Sequence, residues 1–230
     1  MDYLEEFRRV DLSDYRTDDE QVELLKNWWK ENGSSTLISI AVALALVFSW
    51  RTWQDSQQAT VDNASFAYQE LLDAVSAVET DPDDIKIATV DFMAENLKEN
   101  YSGSGYSNFA AFLKARQAVK DDDLLTAEEE LRWVLNNNPS TEMGLVTELR
   151  LAKVLFAQNK ADEAKALLAR EDTGAFTHAF LELKGDMLVN EEDYQGAVDA
   201  YTAAEMAVQA LIMKPPQTLA MKLAYAKSFL

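Results

Sequence analysis

The first contrast along the chain is between one unbroken apolar run and a long stretch of helical alternation. Asn32 to Trp50 is free of charge, and its centre from Leu37 to Phe48 is apolar at every position except Ser39. At about 1.5 Å per residue the run reaches roughly 28 Å, close to the ~30 Å hydrocarbon core of a bilayer. Trp28 and Trp29 precede it, and Trp50, Arg51 and Trp53 close it, the amphipathic residues expected at membrane interfaces. A transmembrane helix is therefore predicted over 32–53, with a buried core helix as the alternative. A cleaved signal sequence fits poorly, because the apolar core is too long and no small-x-small cleavage site follows it. Just before the run, Val22, Leu25 and Trp29 at i, i+3, i+7 predict a short amphipathic helix.

Beyond the run, apolar positions fall at helical spacing with small residues at fixed places. Between Phe180 and Ala204 the series is Gly185, Tyr194, Ala197, Tyr201 and Ala204. A small residue where helix A crosses helix B, then a small–aromatic–small series along helix B, is the pattern of a tetratricopeptide repeat. The same frame falls on Ala152, Leu155, Ala164 and Leu168, and again on Ala115, Ala118, Ala127, Leu131 and Val134, with Pro139 after it. Ala127 to Ala164 is 37 residues and Ala164 to Ala197 is 33, against a period of about 34. The three extra residues are expected in a loop around Ser140–Gly144. Repeats are predicted at about 108–139, 145–172 and 178–214, with an unrelated helical bundle as the alternative. Upstream, Gln57–Glu79 and Asp84–Tyr101 predict another helix pair, and Thr218–Leu230 a capping helix with Leu219, Leu223 and Ala226 on one side. The predicted fold is all-α, an N-terminal transmembrane helix followed by a tetratricopeptide-like solenoid. Its parts are a tail at 1–31, the span at 32–53 and the repeat domain at 54–230.

Charge narrows the function. The 230 residues carry 21 Lys+Arg against 40 Asp+Glu, a net charge of −19, so nucleic acid is not an expected partner. Cysteine is absent and His178 is the only histidine, which leaves thiolate and zinc chemistry without ligands. Asp121–Asp123 and Glu128–Glu130 lack the spacing of a calcium loop; both are read as solvated helix ends, the first near the N-terminus of a helix B. No nucleophile elbow, dinucleotide or phosphate-loop pattern occurs. No catalytic residue, metal or cofactor is predicted, and the chain is not expected to be an enzyme. Arg16, Lys26 and Lys30 lie before the run and only Arg51 close after it, which predicts a cytoplasmic N-terminus and a translocated C-terminal domain.

What remains is recognition. Helix A of such a repeat lines the concave face. In this register that face carries Phe109, Phe112, Arg116 and Val119, then Leu149, Lys153 and Phe156, then Glu182, Asp186 and Val189. Aromatics beside Arg and Lys suit an extended polypeptide, although Phe112 and Phe156 fit equally well as filling between repeats.

The segment Glu20-Gln-Val-Glu-Leu-Leu-Lys-Asn-Trp-Trp-Lys-Glu-Asn-Gly33, the apolar span, Trp50-Arg-Thr-Trp53, Ala64-Ser-Phe-Ala-Tyr68 and Leu149-Arg-Leu-Ala152 together resemble the YfgM-type ancillary subunits of the SecYEG translocon, inner-membrane proteins of Gram-negative bacteria. The resemblance implies one membrane span and a periplasmic repeat domain. The implied partners are the translocon, a membrane-anchored periplasmic chaperone related to prolyl isomerases, and unfolded secreted chains. The implied role is handing newly translocated proteins to that chaperone. An alternative is a regulatory scaffold in envelope-stress signalling that acts through the acidic tail, whose residues 1–17 extend beyond the tail usual in the family.

Overall fold

The computed structural model describes residues 18–81 and 83–230, with side chains from Glu20 onward, so expectations for residues 1–17 lie outside it. The chain divides into two compact units, residues 1–59 and 60–230. The described part of the first unit belongs to helix α1 (Asp18–Thr80). From Glu20 to Ala59 every residue is exposed apart from Gly33 and Thr36. An apolar helix with no protein cover on any side needs another apolar surround. Among the described residues this is the one helix long and apolar enough to cross a membrane, by length and composition.

Two hydroxyls at the start of the span bond within the helix. Thr36 Oγ1 donates to the Asn32 carbonyl and Ser39 Oγ to the Ser35 carbonyl, each at 2.9 Å, so neither hydroxyl needs water. A Cβ on Gly33 would lie 3.2 Å from Cε2 and Nε1 of Trp29; glycine lets that indole lie flat on the helix one turn on. The separate short helices expected before and after the span are one helix with it. No proline lies between residues 18 and 80, and no glycine after Gly33, so nothing in the sequence interrupts the ladder.

In the second unit the end of α1 is followed by α2 (Asp84–Asn100), α3 (Gly105–Lys120), α4 (Leu124–Asn136), α5 (Thr141–Ala157) and α6 (Ala161–Leu168). A 3₁₀ turn (Gly174–Phe176) then leads into α7 (Thr177–Asn190), α8 (Tyr194–Ala210) and α9 (Gln217–Lys227). Asp83 starts α2 by accepting from the Ile85 amide at 2.8 Å. Ala64 and Leu71 of α1 share a core with Ala94 and Leu97 of α2 and Ala110 of α3.

The pairs α3–α4, α5–α6 and α7–α8 are repeats by backbone geometry as well as by sequence. Each pair turns through a left-handed residue, Asp122, Asn159 and Glu192, with φ of 60°, 62° and 61°. In each, the next amide bonds the carbonyl five residues back: Asp123 to Ala118 (2.8 Å), Lys160 to Leu155 (2.9 Å) and Asp193 to Leu188 (2.9 Å), a Schellman closure. Asp123 and Asp193 then cap α4 and α8 by accepting from the Thr126 and Gly196 amides. Ala115, Ala152 and Gly185 of the first helices are buried, as are Ala127, Ala164 and Ala197 of the second.

Two expectations are corrected here. The three extra residues of the Ala127-to-Ala164 interval do not form a loop at Ser140–Gly144. Ser140 caps α5 by accepting from the Met143 amide at 3.3 Å, and Gly144 lies inside a helix of 17 residues where α7 has 14. The extra length of this interval is helical, in α5 and in α4, which has 13 residues where α6 has 8. Nor are Glu128–Glu130 all solvated. Glu130 is buried with Lys98 Nζ 2.9 Å from its Oε2 and Lys114 Nζ 3.1 Å from its Oε1. Glu128 holds Arg132 and Lys160, each at 2.7 Å; only Glu129 is exposed. Lys98 also bonds Glu95 at 3.0 Å and sits 5.1 Å from the Trp133 ring centroid, and Glu95 accepts from Lys114. This network ties α2, α3 and α4 together.

A Cβ at Gly185 would fall 2.6 Å from Tyr201 Cδ1 and 2.9 Å from its Cζ, so α7 and α8 cannot keep their distance if it is added. Gly185→Ala is expected to destabilise the unit by roughly 1–3 kcal/mol, read as a lowered thermal midpoint in calorimetry.

The ion network sets an acid limit. Burial works to raise the Glu95 carboxyl, but bonds from Lys114 and Lys98 hold it below its usual range. Glu128 is likewise held low by Lys160 and Arg132 against burial. Carboxylates depressed in the folded state stabilise it above their unfolded value, near 4.5, and that contribution fades as pH falls through the folded value. The thermal midpoint is expected to fall below about pH 4.5, with a shallower decline in Glu95→Gln, measured by circular dichroism across a pH series.

Candidate polypeptide-binding groove

The face of α3 that carries Phe109, Phe112, Arg116 and Val119 turns toward the face of α5 that carries Met143, Val146, Arg150, Lys153 and Ala157. Between them lies a depression of about 900 Å³, lined also by Tyr68 of α1 and Phe176 of the 3₁₀ turn. Its floor is apolar because both helices bring i, i+3, i+7 positions to it. Phe109 is 41% exposed and Val119 48%, so the groove presents apolar surface to an incoming chain. Tyr68 and Phe109 have ring centroids 5.9 Å apart, and Tyr106 meets Phe109 edge-on at 6.4 Å. Burial raises the Tyr68 phenol above its ordinary range.

Cations edge this floor. Arg150 holds its guanidinium 4.5 Å from the Phe112 ring centroid, a cation–π contact that keeps the charge exposed and the ring covered. Arg116 and Lys120 share Glu79, at 3.0 and 3.4 Å.

Five of the residues read from the sequence, Phe109, Phe112, Arg116, Val119 and Lys153, line this one groove. Leu149 does not. It is buried in the core formed by α3 to α7, and Phe156 packs half-buried against that same core. In place of Leu149 and Phe156 the groove takes the next residues, Arg150 and Ala157, with Val146 beside them. The signal was in the sequence: a register that buries Arg150 beside an exposed Leu149 is the wrong one. Tyr68, Met143 and Phe176 were also missed, because they come from other elements or from outside the repeat frame.

Glu182, Asp186 and Val189 lie outside this groove; Asp186 and Val189 line a separate, smaller depression of about 380 Å³ with Tyr201, Met221, Lys222 and Tyr225. Lys222 of α9 reaches Glu182 at 2.7 Å and Asp186 at 2.8 Å, and the Tyr201 hydroxyl donates to Asp186 at 2.8 Å. Val189 packs against the core of Tyr201, Leu219 and Leu223. Burial, then the bond to Asp186, push the Tyr201 phenol far above its ordinary range. Burial works to lower the Lys222 ammonium, but its two carboxylates carry it above its ordinary value. The third repeat is thus covered by α9.

Among the described residues there is no group of three or more His, Cys, Asp or Glu placed to hold a metal. His178 Nδ1 lies 3.1 Å from the Ala175 carbonyl, within its own turn. Trp28, Trp29, Trp50, Arg51 and Trp53 are all exposed on α1, the last two tryptophans with ring centroids 5.1 Å apart.

Lys222→Gln removes both ion pairs that seat α9. They are about one-third exposed, so together they contribute on the order of 1 kcal/mol. Amide exchange is expected to speed up in α9 by roughly fivefold, with α3–α5 unchanged, in hydrogen–deuterium exchange.

The model of the tetratricopeptide repeat-like domain matches residues 26–227. An ancillary SecYEG translocon subunit of Escherichia coli is 30% identical over 189 residues, covering 82% of this chain and 87% of the relative. Another from Haemophilus influenzae is 27% identical, covering 82% and 88%, and one from Neisseria gonorrhoeae is 26% identical, covering 81% and 87%. No solved structure matches. With its paired helices, its uncovered apolar segment and these relatives, the chain belongs to the tetratricopeptide repeat-like family and, within it, to the ancillary SecYEG translocon subunits.

Proposed function

We propose that this chain is a membrane-anchored adaptor at the protein translocon, which links newly translocated proteins to a membrane-anchored periplasmic chaperone of the prolyl-isomerase-like type through protein–protein binding. The observation that carries the reading is the uncovered groove of α3 and α5, open and apolar with cations at its edge, in a chain whose named relatives are translocon subunits. Such a surface is suited to an extended polypeptide held by side-chain pockets. In this reading α1 anchors the chain as a single-pass protein of the inner membrane. The excess of cations before the span, Arg16, Lys26 and Lys30 against Arg51, favours a cytoplasmic N-terminus and a periplasmic repeat domain. The partners are then SecYEG, the chaperone and unfolded secreted chains, with no catalysis required of the chain itself.

In vivo photo-crosslinking tests this. Probes at Phe109 and Val119, both exposed in the groove, are expected to give adducts with chaperone or secreted chains. A probe at Glu129, exposed on α4, is expected to give none. Equal labelling at all three positions, or none, would remove the groove from the function.

A further inference from the structure

The groove holds an electrostatic exception. Residues 51–230 contain 30 Asp and Glu against 16 Lys and Arg, and most described cations of the repeat unit are drawn to carboxylates, often on another helix. The groove reverses this. Arg116, Lys120, Arg150 and Lys153 line it against one lining carboxylate, Glu142. Glu79 is shared between Arg116 and Lys120, so positive charge remains in excess. Arg150 and Lys153 are both exposed. Among the described residues, neither has a carboxylate within ion-pair distance; Arg150 is held by the Phe112 ring instead.

Arg150 and Lys153 are three apart on α5, on one face. An occupant that lays an apolar side chain on the exposed Phe109 of this groove brings its neighbouring residues toward both cations. A cationic neighbour meets repulsion there, and an anionic one meets two unpaired donors without displacing any existing ion pair. The surrounding acidic surface acts in the opposite sense and repels the same anion elsewhere, so discrimination is confined to the groove.

We infer that the groove selects extended polypeptide segments in which aromatic or aliphatic side chains are flanked by Asp or Glu. This specificity rests on the reading of the groove as a polypeptide site and adds a charge rule to it.

The test uses the full chain in lipid nanodiscs and three fluorescent synthetic peptides with the same Leu-Phe centre, flanked by Asp/Glu, by Ser or by Lys. Anisotropy titrations at low salt are expected to show the acidic peptide binding roughly three- to tenfold tighter than the Ser peptide, and the Lys peptide weakest. Added salt should narrow the difference, since exposed charges are screened. Lys153→Gln is expected to reduce the preference, and Lys153→Gln with Arg150→Gln to abolish it. Both positions are exposed, and unchanged helical circular dichroism would establish that each variant is folded. Equal affinity for all three peptides overturns the charge rule and leaves a polypeptide groove standing. A preference that survives the double substitution also overturns it, because the selecting charge then lies elsewhere. Binding of none of the three overturns the rule and the groove together.

Discussion

The repeat unit depends on how closely the two helices of each pair can approach. Gly185 is the extreme case, with Tyr201 lying where a Cβ would be; Ala115 and Ala152 are the next smallest solution at the equivalent positions. Small residues at these crossings let the partner helix fill the gap with large side chains, Leu131 in the first pair and Tyr201 in the third, both almost fully buried. Close approach also fixes the rotation of each first helix. That rotation decides which residues turn inward and which turn to the groove. A rotation of α5 by one position would exchange Leu149 for Arg150, and the groove would lose a cation while the core gained one. Packing at the crossing and chemistry in the groove are therefore one constraint.

Much of this was legible in the sequence, for reasons that differ by element. The repeat pairs were readable because their small residues recur at fixed spacing. The face of α3 was readable because Ala111, Ala115 and Ala118 mark its buried side, leaving Phe109, Phe112, Arg116 and Val119 on the other. In α5 almost every residue from Leu145 to Phe156 is apolar apart from Thr147, Glu148, Arg150 and Lys153. Apolar periodicity there is flat, and only the charges mark the phase. The start of α5 reads as a loop because Gly144 is a familiar breaker, yet a capped helix start three residues earlier overrides one glycine. What single-helix patterns did not carry was contact between distant segments: Tyr68 at the groove's edge, and Lys222 reaching Glu182 across 40 residues of sequence.

Lys222 shows how the solenoid restricts its own binding surface. A repeat array exposes an apolar flank at each end, and the last flank needs cover. Here α9 supplies it with Leu219, Leu223 and Ala226, all buried, and in doing so covers the acidic side of α7. Lys222 pairs both Glu182 and Asp186 there, whereas, among the described residues, Arg150 and Lys153 of the α3–α5 groove have no such partner.

The ion pairs fall into two kinds. Lys98 and Glu130 are both buried, and a buried charge without its partner is strongly unfavourable, so that pair and its neighbours must be kept for the fold. Most of the rest are half-exposed and contribute little individually. The repeat unit therefore has no strong energetic need to pair every surface cation, even with carboxylates in large excess. Arg150 and Lys153 sit at the edge of an apolar floor, where leaving them unpaired has little consequence for stability. The same exposure that makes a surface pair weak in the fold leaves its charge available to an incoming chain. A groove of this kind is cheap to maintain only on a scaffold whose rigidity comes from elsewhere, and here it comes from the close helix crossings.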